Sequence, residues 1–324
     1  MNDLNPNSTP PDDERWARDT LTKLVFAAVT EQRRARRWGI FFKFLFFAYL
    51  VLLLALAWPD NLGKATVSTK RHTALVRIDG LISSSTEASA KNIIGALRKA
   101  FKDDKTAGVV LQINSPGGSP VQAGEIYDEI QKLRQQYPKT PVYAVASDVC
   151  ASGGYYIAAA AQSIYANQAS IVGSIGVRMD SFGFTDAIAK LGVERRAYTA
   201  GANKDFLDPF KPVNPDEVQH LQRMLDAIHQ QFIAAVKQGR GERLKDHPEI
   251  FSGLMWTGAQ SVELGLVDAL GSARYVAEEV IGEKTILDYT QRTGWVERLL
   301  DGVETSLSAA LINGLGVEGM PQWR

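Results

Sequence analysis

VVLQINSPGGSPVQAGEIYDEIQKLRQQ, residues 109–136, decides the architecture. Residues 109–114 are apolar except for Gln112 and Asn114 and rich in β-branched side chains, the pattern of a buried strand. The turn Ser115-Pro116-Gly117-Gly118-Ser119 follows, and residues 121–136 space their apolar side chains as a helix does. Strand, glycine turn and helix make the first half of a βαβ unit, and VYAVAS (142–147) supplies its second strand.

The alternation runs on in both directions. ALVRIDGLI (74–82) reads as a strand and AKNIIGALRKAF (90–101) as a helix. A small-residue helix over 154–161 precedes a strand SIYAN (163–167). A further strand is expected at VERRAYT (193–199), and a long helix from about 215 to 237. The class is therefore α/β with a mainly parallel sheet.

Composition sets the outer bounds. The 324 residues are 45% hydrophobic, enough for a packed core, and the 36 basic side chains are matched by 36 acidic ones. No basic excess draws the chain to nucleic acid. The single cysteine, Cys150, excludes an intrachain disulfide or a cysteine-cluster metal site. His72, His220, His229 and His247 show no close ligand spacing, which argues against a histidine metal centre.

IFFKFLFFAYLVLLLALA (40–57) stands apart, with Lys43 as its one charge and Trp38 and Trp58 at its ends. It meets the length of a membrane-spanning helix. Arg33, Arg34, Arg36 and Arg37 precede it, so the positive-inside rule puts the N-terminus in the cytoplasm and the rest outside. Ala55-Leu56-Ala57 has the form of a signal-peptidase site, but the long leader and the long apolar run favour an uncleaved anchor. The expected division is a cytoplasmic tail (1–37), a transmembrane anchor (38–58), a linker (59–72), a folded domain (73–284) and a C-terminal extension (285–324). The first 13 residues have the composition of a disordered tail. The extension carries an amphipathic helix, 295–312, whose acidic polar face suits packing on protein better than contact with lipid.

Three glycine-marked turns could carry chemistry. In Asn114-Ser115-Pro116-Gly117-Gly118, consecutive glycines let backbone N–H groups approach a ligand, as an oxyanion hole requires. Cys150-Ala151-Ser152-Gly153-Gly154 opens a helix; a serine there is commonly a cap, yet the glycines behind it clear space for a nucleophile. Cys150 stands where a nucleophile elbow has its first glycine, and reads as a small packing residue. With His220 and His229 on a polar-faced helix, a Ser-His-Asp triad is disfavoured. Lysine is the known alternative base, and Lys204 in Gly201-Ala202-Asn203-Lys204-Asp205 is the candidate. In the third turn, Gly173-Ser174-Ile175-Gly176, the serine could aim such an amine. Taken singly, each of these stretches also reads as an ordinary turn or a solvated surface lysine.

Taken together, NSPGG (114–118), ASGGYYIA (151–158), GSIGV (173–177), the GxxKD stretch (201–205) and TGAQSVELGLVDALG (257–271) resemble the bacterial signal peptide peptidase A family of Ser-Lys peptidases, in its short membrane-anchored form. The resemblance spans roughly residues 73–280. It implies a Clp-protease/crotonase-like fold preceded by one transmembrane helix. It also implies Ser152 as nucleophile, Lys204 as general base, Ser174 as the residue that orients the lysine, and Gly118 with Gly153 as oxyanion donors. Relatives of this form are oligomers whose serine and lysine come from neighbouring subunits. The implied activity is cleavage of signal-peptide remnants or other apolar peptides at the outer side of a bacterial cytoplasmic membrane, without cofactor or metal. The competing readings are a crotonase-like acyl-CoA enzyme and a non-catalytic membrane scaffold. The long tail and the C-terminal extension depart from the family pattern and bear on regulation rather than chemistry.

Overall fold

The computed structural model describes residues 12–57 and 70–291, which fall into two units. The first contains α1 (Asp12–Ala57), one continuous helix that carries both the arginine cluster and the apolar run. Among the described residues no helix is long and apolar enough to cross a membrane. The described side chains of the run end at Leu53, the fourteenth residue counted from Ile40.

The second unit holds the alternating elements. In chain order they are β1 (His72–Asp79), α2 (Ala90–Lys102), β2 (Thr106–Ser115), α3 (Pro120–Gln136), β3 (Val142–Ala151) and α4 (Gly153–Ala158). There follow β4 (Ser163–Ala166), β5 (Ile171–Gly173), α5 (Thr185–Lys190), α6 (Pro215–Arg240), β6 (Met255–Thr257), α7 (Gly258–Glu263) and β7 (Ala269–Leu270). α8 (Ala273–Tyr275) continues as a π turn over Val276–Ile281, and β8 (Ile286–Asp288) completes the order. The strands run β6-β5-β3-β2-β1-β8, with β4 on β3 and β7 on β4. All pairings are parallel except β5 with β6.

Strand periodicity fixes the layers. Ala74, Val76, Ile78, Val109, Leu111, Ile113, Ala144 and Ala146 face one core, shared with α2, α3, α4 and α6. Their alternate neighbours Leu75, Val110 and Val145 face a smaller core closed by Val276 of the π turn. Three of the helices start on a side chain that accepts an otherwise unpaired N–H: Ser89 for α2, Ser119 for α3 and Asn214 for α6, with proline at the first turn of the last two.

Two local features hold the ends of this unit. Arg240 at the end of α6 is 1% exposed and binds Asp268 through both terminal nitrogens, at 2.7 and 3.0 Å, while its Nε donates to the Gly265 carbonyl. Burial alone would raise the Asp268 carboxyl, but hydrogen bonds from Arg240 and the Ile164 N–H outweigh it and hold the group below the usual range. At the start of β1, His72 is fully buried with Nε2 2.9 Å from the Tyr289 hydroxyl, which donates to Asp103. His72 is thus a satisfied core histidine.

The structure corrects the sequence reading in one element and extends it in another. VERRAYT (193–199) is not a strand: no described strand pairs with it, and Val193 and Tyr198 are 55% and 91% exposed. Without a ladder partner its N–H and C=O groups have no reason to adopt extended pairing. β3 runs four residues past 147 because it pairs twice, with β4 over 143–146 and with β5 over 149–151. The extension opens with β8, whereas the expected helix 295–312, residues 1–11 and most of the linker lie outside the described residues.

Candidate active site

The β1, β2, β3 and β5 strands all end at the same edge of the parallel sheet, the edge where open α/β folds place their ligands. The turns after β2, β3 and β5 are the three glycine-marked stretches of the sequence. They converge on a cleft of about 1030 Å³ that includes Gly117, Gly118, Ser152, Gly153 and Ser174 in its lining.

Ser152 sits between β3 and α4 with φ 51° and ψ −123°, a region that an L side chain adopts at a cost of about 1–3 kcal/mol. It is held there from both sides: its N–H donates to the Gly173 carbonyl at 2.9 Å, and its carbonyl accepts from Tyr156 N–H at 2.9 Å. Although Ser152 is the residue before α4, its side chain makes no capping hydrogen bond. The hydroxyl is half-buried at the cleft wall, the disposition of a nucleophile rather than of a cap.

The turn after β2 is built around that serine. Ser115, fully buried, donates to the Gly80 carbonyl at 2.6 Å and accepts from Gly117 N–H at 3.1 Å. A Cβ on Gly117 would lie 2.6 Å from the Ser152 Cβ and 2.9 Å from Gly153 N, so only glycine lets the two turns come this close. Gly118, at φ 149°, is pinned by Ile82, whose N–H and carbonyl bond Gly117 and Ser119 on either side of it at 2.9 and 2.8 Å. Neither Gly118 N–H nor Gly153 N–H has an acceptor among the described residues. Two free backbone donors beside a strained serine can hold a developing oxyanion.

Ala151 and Gly173 form the last register pair of β3 and β5, so Ser152 and Ser174 are the next residues of adjoining strands. Ser174 also has positive φ, 52°, and its N–H donates to the Leu254 carbonyl at 2.7 Å. Buried Cys150 lies below this surface, where burial pushes its thiol up to about 12 and leaves it a packing residue.

The structure does not bring Lys204 to this place. Lys204 lies in an exposed turn after α5, outside the cleft lining, and its amine has no hydrogen-bond or ion-pair partner among the described residues. The ionisable side chains of the cleft are Glu125, Asp128, Tyr156 and Arg178, none of them singled out by the sequence reading, and no lysine or histidine is included. Within one chain, then, Ser152 has two free backbone donors beside it and no lysine or histidine among the described residues of its cleft.

An α/β domain with a strained serine and free backbone donors at the carboxyl edge of its sheet defines a serine-hydrolase type of site. The comparisons specify which. Residues 134–286 match Peptidase family S49, and residues 67–171 match Clp protease. A putative protease of Synechocystis sp. is 33% identical over 272 residues, covering 82% of this chain and 94% of that protein. The putative signal peptide peptidase SppA of Enterococcus faecium is 32% identical over 200 residues, 62% of this chain and 58% of that one. A Brucella abortus protein named Na(+)/H(+) antiporter NhaA is 45% identical over 216 residues, 66% of this chain and only 29% of its own length. The chain belongs to the signal peptide peptidase A family of S49 peptidases.

Proposed function

We propose that the chain is a membrane-anchored serine endopeptidase whose active site is completed by a second copy of itself. Ser152 of one copy attacks the scissile carbonyl, and Lys204 of a neighbouring copy takes the hydroxyl proton and returns it to the leaving amine. Gly118 and Gly153 N–H groups receive the oxyanion, and the Ser174 hydroxyl, one register step from the nucleophile, aims the lysine.

The observation that carries this reading is the half-built site: a strained, uncapped Ser152 beside two free donors, in a cleft that holds no lysine or histidine of its own among the described residues. The segment that bears Lys204 supports the second-copy arrangement. Phe182, Leu191 and Tyr198 are 76%, 76% and 91% exposed there, an apolar surface that a neighbouring subunit would cover.

Substrates are apolar peptides, with signal-peptide remnants the class that the similarity to signal peptide peptidases suggests. Val149, Tyr156, Phe232 and Met255 give the cleft an apolar lining suited to such side chains. The apolar run at 40–57, in a continuous helix behind four arginines, anchors the chain in the cytoplasmic membrane with the peptidase domain outside. The full chain should then stay in the membrane pellet through an alkaline carbonate wash and need detergent for release; release by carbonate alone would remove the anchor. The activity is tested by hydrolysis of a fluorogenic apolar peptide by the detergent-solubilised full chain beside Ser152→Ala. Turnover by the unaltered chain that is lost in the variant supports the assignment, and equal turnover by both contradicts it.

A further inference from the structure

On that reading, the geometry points to His229 as a positioning residue for the Ser174 turn, acting through one hydrogen bond to the backbone. His229 lies on α6, half-buried, on the stretch of helix that also lends Ile228, Gln231 and Phe232 to the cleft. Its Nε2 is 3.1 Å from the Ile175 carbonyl oxygen. A carbonyl only accepts, so Nε2 carries the hydrogen and donates, in the neutral ring as in the charged one.

The acceptor's place gives the bond its consequence. Ile175 follows Ser174 directly and lies beyond the end of β5, so its carbonyl takes no part in the sheet ladder. Among the described residues no other donor reaches it. Its side chain is fully buried, which fixes the residue from below, while His229 fixes it from the side. The remaining holds on this turn are backbone bonds, Ser152 N–H to Gly173 and Ser174 N–H to Leu254. Among the described residues His229 is therefore the one side-chain hydrogen-bond brace on a turn whose serine holds a positive φ of 52°. Releasing it leaves a carbonyl unpaired and lets the turn relax, and a displacement of about 1 Å in a positioning group costs on the order of 100-fold in rate.

The role makes a specific demand on replacements. Glutamine places an amide donor at about the reach of Nε2, leucine offers similar bulk without a donor, and glutamate presents only acceptors to a carbonyl. The four full-length variants His229→Gln, His229→Leu, His229→Glu and Ser152→Ala are compared with the unaltered chain in detergent, on a fluorogenic apolar peptide, with melting temperature and oligomer size measured in parallel. His229→Leu should lower kcat by roughly 10- to 100-fold with KM changed less than about threefold, and His229→Gln should keep at least about a third of kcat. His229→Glu should fall at or below the leucine variant. If leucine fails to fold, the ratio of glutamine to glutamate carries the test. A leucine variant with undiminished kcat overturns the proposal, and so does a glutamine variant as impaired as the leucine one, since that would make the imidazole itself the required group. Undiminished turnover by Ser152→Ala would instead overturn the peptidase assignment, whatever position 229 does.

Discussion

Replacing Ser152 by alanine is expected to lower kcat/KM for peptide hydrolysis by at least about 10⁴-fold, leaving only what oxyanion donors and binding supply without a nucleophile. The change removes one oxygen and keeps the Cβ. The strained backbone is imposed by its neighbours, through Ser152 N–H to Gly173 and Tyr156 N–H to Ser152, and both bonds survive the substitution. No capping bond is lost, since the side chain makes none. Melting temperature and KM should therefore stay close to those of the unaltered chain, which separates loss of chemistry from loss of structure. A variant that keeps more than about one part in a hundred of the activity would put the nucleophile elsewhere.

The second large effect is expected at Gly118. A Cβ there would lie within contact distance of the Ile82 carbonyl oxygen and 2.8 Å from both its carbonyl carbon and its N, and the residue holds φ 149°. Alanine would drive apart the pairing of Ile82 with Gly117 and Ser119, which sets where Gly118 N–H points. Loss of one oxyanion donor costs about 10²–10³-fold in kcat. Gly118→Ala should show at least that loss, with lower thermal stability from the backbone strain. Gly183→Ala, at an exposed position with open space around it, is the matched control. Full activity in Gly118→Ala would mean that this turn does not face the oxyanion.

Both effects rest on turns that were legible in the sequence, and the reason is chemical. Gly117, Gly118 and Gly173 occur where φ is positive and a side chain would collide with its neighbours, so the residue type reports the geometry directly. The strands were legible because burial on both faces leaves continuous apolar runs such as VVLQIN. Where neighbours decide, the sequence was silent or misleading. Residues 193–199 have strand-like composition, but no strand among the described residues pairs with them. The last residues of β3 look like a loop in isolation and are a strand because β5 pairs with them. His229 looks like a surface histidine on a polar helix face, and its meaning lies 54 positions away in sequence, at Ile175. The separation of Lys204 from Ser152 belongs to the same class on the proposed reading, in which a site shared between copies would leave an incomplete one in each chain.

That incompleteness is the centre of the account, and mixing two inactive variants tests it most directly. Full-length Ser152→Ala and Lys204→Ala are each expected to be inactive on the apolar peptide. Co-expressed, so that both enter the same oligomers, they should regain activity, because Ser152 from one variant meets Lys204 from the other. With equal amounts assembled at random in a head-to-tail ring, about a quarter of the sites would be complete. Recovery towards that level in purified mixed oligomers is the predicted result. Oligomers shown to contain both chains but no more active than either variant alone would contradict a serine and a lysine contributed by different copies.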